Sequence, residues 1–145
     1  MPKVALLLPV AYLLHLTEEW FGGFTEWMKA ALGNEVDPDR FITINTVFFL
    51  IICSGLLIGY RNKHFSCLCV CVAVLFLLNG ILHLIAPFGI GLYSPGLITG
   101  IFVYIPLCVW ILLKMSVKLS AGIFISSVFL GILMHGIVAV IAFGG

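Results

Sequence analysis

Five long runs of apolar residues, separated by short polar or glycine-containing segments, make up most of this chain. A run of about 18 or more apolar residues with few charges is typical of a helix that crosses a lipid bilayer. The runs lie at about residues 4–22, 39–59, 66–86, 94–113 and 120–143, and Pro87 and Gly89 are expected to end the third. The pattern therefore predicts an all-α integral membrane protein, with five transmembrane helices in one domain at residues 1–145.

A shorter helix is predicted between the first two spans, over residues 24–32. Phe24 and Trp27 lie near one face of this helix, while Glu26 and Lys29 lie elsewhere. Such an amphipathic helix can lie in the headgroup plane with its tryptophan as an anchor. We expect it to be interfacial.

Composition agrees with membrane insertion and excludes another class of partner. Hydrophobic residues are 63% of the chain, charged residues only 9%, and the mean hydropathy is +1.26, far from the range of soluble proteins. The net charge of +1, without a run of lysine or arginine, argues against nucleic-acid binding. Membrane lipids are the expected surroundings, and the small residues of the fifth span are compatible with a homodimer.

The basic residues of the loops predict how the chain crosses the membrane. Lys3, Arg61, Lys63, Lys114 and Lys118 fall on one side of the five predicted spans, and the other connections are acidic or uncharged. Cytoplasmic loops carry an excess of lysine and arginine. The amino terminus is therefore expected in the cytoplasm and the carboxyl terminus outside it.

A polar cluster interrupts the first apolar run at His15-Leu16-Thr17-Glu18-Glu19. Residues three and four apart share a helical face, so His15 projects with both glutamates, and Tyr12 lies on the same stripe. An ionisable side chain in the middle of a span costs about 2.5 to 3.5 kcal/mol, and neighbouring carboxylates also repel each other. This cluster needs polar partners.

Partners are expected at the same depth on other spans. With a rise of about 1.5 Å per residue, the strongly polar side chains fall about 16 to 26 Å from the cytoplasmic end of their spans, in the outer half of the core. They are His15, Glu18, Glu19, Asn45, Asn79, His83 and His135. Tyr93 and Thr99, at the start of the fourth span, are expected to close the site on its outer side.

Histidines and carboxylates in this combination favour a metal site. We expect His15, His83 and His135 as ligands with one of Glu18 or Glu19, while the other glutamate acts as a general base. Zinc is favoured, and iron would accept two histidines and a carboxylate. Asn45, Asn79, Tyr12 and Thr99 would orient the ligands or the substrate, and Tyr93 would be catalytic.

Several functions remain open at this point. We favour a hydrolase that acts on a lipid or other amphipathic substrate from the outer leaflet. The alternative is a metal-free isomerase or cyclase that uses a glutamate and a histidine as acid and base. A third reading is a small ion or proton conduit, or a buried network that fixes helix register, but a conduit needs polar residues across the whole membrane and these gather at one depth.

Two motifs give the chain a family resemblance. His15 to Glu19 reads H-x-x-E-E, and Tyr93-Ser94-Pro95-Gly96 reads Y-x-P-G. Together with a further histidine, for which we favour His83 over His135, they resemble the HXXEE family of small multi-spanning membrane proteins. The resemblance supports the choice of site residues and implies no substrate.

Overall fold

The computed structural model describes residues 1–143, and within them the chain is helical with no β-strand. Short 3-10 turns precede the first and fourth helices, and a π-helical turn at Gly100–Tyr104 joins the fifth helix to the sixth without a break. The helices are α1 (Leu8–Phe21), α2 (Phe24–Leu32), α3 (Pro38–Arg61), α4 (Leu68–Ile90), α5 (Leu97–Thr99), α6 (Ile105–Ser116) and α7 (Ala121–Phe143).

Five helical segments of this part of the chain are long and apolar enough to cross a membrane. They are Lys3–Phe21, Pro38–Arg61, Lys63–Ile90, Leu97–Ser116 and Ala121–Ala142, and we number them as spans one to five. The predicted all-α class with five candidate spans is confirmed. The apolar surface of these helices indicates a membrane protein.

The third span is longer than the sequence pattern predicts. The helix continues through Pro87 to Ile90 and ends at Gly91, whose φ is +76° and whose N–H bonds the Pro87 carbonyl at 2.8 Å. A proline in the last turn of a helix removes only one helical hydrogen bond, whereas a glycine in the left-handed conformation ends a helix efficiently. The prediction that Pro87 and Gly89 end this helix is therefore wrong by about one turn.

The short helix between the first two spans has the predicted bounds. Glycines in the left-handed conformation flank it, Gly23 with φ +72° before α2 and Gly33 with φ +72° after it. Met28 is completely buried against the bundle, and an ion pair joins Lys29 to Glu35. This helix covers the end of the bundle at which the first span stops.

The third span lies at the centre of the bundle. Its helix α4 packs against α3, α6, α7 and the π turn, and 56% of an 18-residue apolar stretch of this span is buried, against 11 to 33% in the corresponding stretches of the other spans. Its contact with the fourth span is close because two glycines meet there. A Cβ atom on Gly80 would lie 3.1 Å from the Gly100 carbonyl oxygen.

Candidate metal centre

Three buried side chains from the first and third spans meet in one place. His15 and Glu19 are one turn apart on α1, and His83 reaches them from α4. Glu19 Oε1 lies 3.4 Å from His15 Nε2 and 3.3 Å from His83 Nε2, and all three residues are at most 6% exposed. We call His15, Glu19 and His83 the triad. Their ligand atoms lie within 4.8 Å of one another, and within residues 1–143 no other such group of histidine, cysteine or acidic residues occurs.

Thr99, at the start of the fourth span, fixes the ring of His15. Its Oγ1 atom lies 2.5 Å from Glu18 Oε2 and 2.7 Å from His15 Nδ1. A carboxylate only accepts hydrogen bonds, so the single threonine proton is directed to Glu18. The histidine Nδ1–H then donates to the threonine oxygen, which leaves the lone pair of a neutral imidazole on Nε2.

The orientation of His15 creates an unsatisfied atom at the centre of the site. His15 Nε2 is buried without a hydrogen-bond partner, and the nearest acceptor it faces is the Glu19 carboxylate. Two acceptors that face each other in a buried site repel unless a cation or a proton lies between them. The geometry of the triad therefore calls for a positive charge shared by these side chains.

The Tyr93–Gly96 segment packs against the two histidine rings of the triad. The Ser94 hydroxyl lies 2.9 Å from His83 Nδ1, on the side of the ring that faces away from Glu19. Gly96 has a φ of +100°, and a Cβ atom built on it would lie 2.7 Å from His15 Cε1 and 2.9 Å from His83 Cε1. Only glycine combines this backbone conformation with such an approach to both rings.

Glu18 binds the first turn of the fourth span. Its carboxylate accepts hydrogen bonds from the amides of Ile98 at 2.9 Å and Thr99 at 2.7 Å, from the Thr99 hydroxyl, and from the Tyr93 hydroxyl at 2.7 Å. The unpaired amides at a helix start favour an anionic acceptor. Burial and the hydrogen bond to Glu18 raise the pKa of Tyr93 to about 12, so this hydroxyl remains a neutral donor near pH 7.

One H-x-x-E-E motif contains both Glu18, whose carboxylate accepts these four hydrogen bonds, and Glu19 of the triad. A family model described as a protein of unknown function with HXXEE motif matches residues 6–111. This chain belongs to the HXXEE family. The matched region contains the triad, Glu18 and the Tyr93–Gly96 segment, and it ends before α7. Comparisons with curated proteins and with solved structures gave no match.

In this HXXEE protein the two glutamates of the motif have different surroundings. Successive side chains on a helix point about 100° apart, so Glu19 faces α4 while Glu18 faces the start of the fourth span. Sequence analysis expects both glutamates among the ligand and base residues. The structure places only Glu19 beside the two histidines and surrounds Glu18 with donors from residues 93–99.

The remaining predicted site residues line a cavity next to the triad. The Tyr12 hydroxyl donates to Asn45 Oδ1 at 2.7 Å, which ties the first span to the second. Asn79 and His135 also line the cavity, together with His15 and Glu19. His135, which sequence analysis expects as a fourth ligand, is not in the group of three, because α7 brings it to another wall of the cavity.

Sequence reasoning misses two residues of the HXXEE protein's site. Tyr104 is 1% exposed, and its ring stacks on His15 with centroids 4.4 Å apart. Nothing in the sequence separates it from the other aromatic residues of the spans. Gly96 is the second, and its place as the last residue of Y-x-P-G is the signal that points to it.

Proposed function

We propose that this protein is a metal-dependent membrane enzyme whose triad binds one divalent cation, with zinc favoured and iron as the other candidate. The observation that carries the proposal is the buried Nε2 atom of His15, which faces Glu19 without a hydrogen-bond partner. A cation bound by both groups removes the repulsion between two acceptors and offsets the cost of burying a carboxylate.

Two of the three ligand separations in the triad suit a tetrahedral metal. Ligands at about 2.0 to 2.1 Å from a tetrahedral ion lie about 3.4 Å from each other. The two separations that involve Glu19 are 3.4 and 3.3 Å. Two histidines and one carboxylate are also a ligand set of catalytic zinc sites, in which the fourth position holds water or substrate.

The residues around the triad would orient these ligands. A histidine that binds a metal usually donates its other ring nitrogen to an oxygen, which fixes its tautomer. Thr99 accepts a hydrogen bond from His15 Nδ1 and donates one to Glu18, and the Ser94 hydroxyl lies within hydrogen-bond distance of His83 Nδ1. In this proposal Glu18, Thr99 and Ser94 are positioning residues, and Tyr93 acts through Glu18.

Hydrolysis of a lipid or amphipathic substrate is the reaction that we propose. A divalent metal with an open position supplies a water of lowered pKa and polarises a carbonyl oxygen. The cavity beside the triad would hold the polar part of the substrate and the first carbon atoms of its chain, near Tyr12, Asn45 and Asn79. With the amino terminus in the cytoplasm, as the basic loops predict, the triad lies nearer the outer leaflet and the carboxyl terminus lies outside.

A second candidate uses a proton in place of the metal. Protonation of His15 would also satisfy the pair of facing acceptors, and the protein would then be an acid and base catalyst, such as a lipid isomerase or cyclase. The same unpartnered nitrogen supports both candidates. Metal analysis separates them.

The experiment measures the metal content of the purified full-length protein by mass spectrometry, for the wild type and for His15→Ala and His83→Ala. We expect about one zinc or iron per chain in the wild type and a loss of at least tenfold in each variant, because two remaining ligands bind a divalent ion weakly. His64→Ala is the matched control, since His64 is exposed in the 3-10 turn at the start of the third span, whereas His83 lies near the end of that span.

A wild type without metal contradicts the metal site and leaves the acid and base candidate. Metal that both triad variants retain, or that His64→Ala loses equally, contradicts the assignment of the ligands. Thermal unfolding of each variant shows whether a loss of metal reflects a loss of the fold.

A further inference from the structure

The cavity beside the triad contains polar atoms that no protein group satisfies. Asn79 Oδ1 and both ring nitrogens of His135 are buried without a hydrogen-bond partner. Buried polar atoms in native proteins are almost always paired, so unpaired ones that line a cavity indicate a ligand with complementary groups. An amide oxygen needs a donor, and a neutral imidazole offers one donor and one acceptor. The ligand therefore carries a group such as a hydroxyl or an amide.

The charge of the cavity limits what this group can be. Among the described residues that line it, none is lysine or arginine, and its one formally charged side chain is Glu19 of the triad. A phosphate or carboxylate head group beside Asn79 and His135 would be buried there without a lysine or arginine partner, which is strongly unfavourable. The residues favour an uncharged head group.

The size of the cavity indicates that only part of a lipid fits inside. Its volume is about 130 Å³. A cavity of about 150 Å³ accommodates benzene, so this one takes a polar group and a few carbon atoms. A longer chain must leave the cavity between helices, and the other lining residues are mainly apolar side chains of α3, α4 and α7.

In the described part of the chain, the helices α3 and α7 both border the cavity without close packing against each other. Each of these helices packs against α4, and both line the cavity, but no comparable packing joins them to each other within residues 1–143. Arg40 Nη2 donates to the Ile141 carbonyl at 2.9 Å and connects the two helices at one end. On the α7 side the wall is formed in part by the small residues Ala139 and Ala142.

We propose that an uncharged lipid enters sideways from the membrane between α3 and α7. Its hydroxyl or amide group bonds His135 and Asn79, its chain lies against the apolar faces of α3 and α7, and its ester or amide bond lies next to the triad. His135 thus recognises the lipid head group and does not bind the metal. Only the claim that this lipid is a substrate rests on the proposed function, since binding of the lipid requires the cavity and not the metal.

Photo-crosslinking of the full-length protein in lipid nanodiscs tests the site. The probe is a monoalkylglycerol with a diazirine in its alkyl chain, which is uncharged, carries two hydroxyls and has an ether bond that cannot be hydrolysed. We expect crosslinks to map by mass spectrometry to residues of α3 and α7 that line the cavity. A diazirine fatty acid of the same chain length, tested as its carboxylate, is expected to label these residues at least fivefold less.

Two variants on neighbouring positions of α7 provide a matched comparison. Ala139→Trp fills the cavity wall and is expected to lower labelling at least fivefold, whereas Val140→Trp, at a position that is 70% exposed on the outside of the bundle, leaves labelling unchanged. His135→Phe keeps a ring of similar size but removes both nitrogens, and we expect labelling at least threefold lower. Thermal unfolding identifies any variant that fails to fold.

Equal labelling of Ala139→Trp and Val140→Trp, or equal labelling by the carboxylate probe, overturns the proposal. The metal content of the same wild-type protein separates this inference from the proposed function. A wild type that lacks metal but shows crosslinks in the cavity keeps the lipid site and ends the metal enzyme. A wild type that contains metal but shows no crosslinks in the cavity ends the lipid site and keeps the metal centre.

Discussion

Gly96 brings the backbone of the Tyr93–Gly96 segment against the histidine rings of the triad. The histidine rings and the glutamate come from α1 and α4, but the space between them and the fourth span is set by a position without a side chain. The sequence marks Gly96 only as the end of Y-x-P-G. Glycine is required at this position because the backbone contacts the rings of His15 and His83. That contact brings together three segments that are distant along the chain.

Replacement of Gly96 by alanine tests this contact. We expect Gly96→Ala to lower the free energy of unfolding by about 2 to 5 kcal/mol, because a left-handed conformation costs alanine about 1 to 2 kcal/mol and overpacking against the rings adds about 1 to 3. Thermal unfolding in detergent measures the change. Gly91→Ala is the control, since Gly91 also has a positive φ, +76°, but has no atom within 4 Å of a built Cβ. Equal losses in the two variants would show that the rings are not in contact with Gly96.

The start of the fourth span is held by a residue of another helix. The amides of Ile98 and Thr99 lie in the first turn of this helix and donate to Glu18 of α1. A local sequence reading looks for a cap within the preceding few residues and does not find this one. The consequence is that one carboxylate of α1 holds the backbone of the fourth span and also orients Thr99 towards His15.

Glu18→Gln tests this coupling while it keeps the size of the side chain. One carboxylate oxygen becomes an amide group that faces backbone or hydroxyl donors, so we expect a loss of about 2 to 3 kcal/mol in unfolding free energy and faster amide hydrogen exchange at residues 97–99. Glu26→Gln is the control, because the exposed Glu26 carboxylate accepts from the neighbouring Thr25 hydroxyl within α2. Unchanged exchange in Glu18→Gln would contradict the proposed anchor.

At the scale of the whole molecule, α4 is the helix on which the others pack. The fifth span meets it at Gly131, where a built Cβ atom would lie 2.7 Å from Val74 Cβ and 2.8 Å from the Cys71 carbonyl oxygen. The sequence alone does not distinguish Gly131 from Gly122 and Gly136 of the same span. The structure distinguishes them, because Gly122 and Gly136 have no neighbouring atom within 4 Å of a built Cβ.

A pair of alanine substitutions on α7 tests this packing. Gly131→Ala is expected to destabilise the protein by about 1 to 3 kcal/mol, since the added methyl group must displace α4 or its side chains. Gly136→Ala is expected to leave the stability unchanged or raise it by up to about 1 kcal/mol, because alanine favours the helix over glycine. Thermal unfolding compares the two. A loss at Gly136 as large as that at Gly131 would mean that helix packing does not cause the effect.

The sequence by itself determines the helical class, the five candidate spans and the motif residues. These depend on local properties: the length of apolar runs, the spacing of side chains on one helix and the glycines that bound α2. It also predicts that His15, Glu19 and His83 belong to one site, because their depths along the spans agree.

Only the tertiary structure decides how the polar residues divide between roles. Depth along a span does not specify rotation about the helix axis, and that rotation sends Glu19 to the histidines, Glu18 to the amides of the fourth span and His135 to another cavity wall. For the same reason, the sequence does not predict that Tyr104 stacks on His15 or that Gly96 contacts the histidine rings. Packing of α1, α4 and the fourth span fixes this rotation, because the observed orientations pair Glu18 with the amide of Thr99, His15 with the Thr99 hydroxyl and His83 with Ser94.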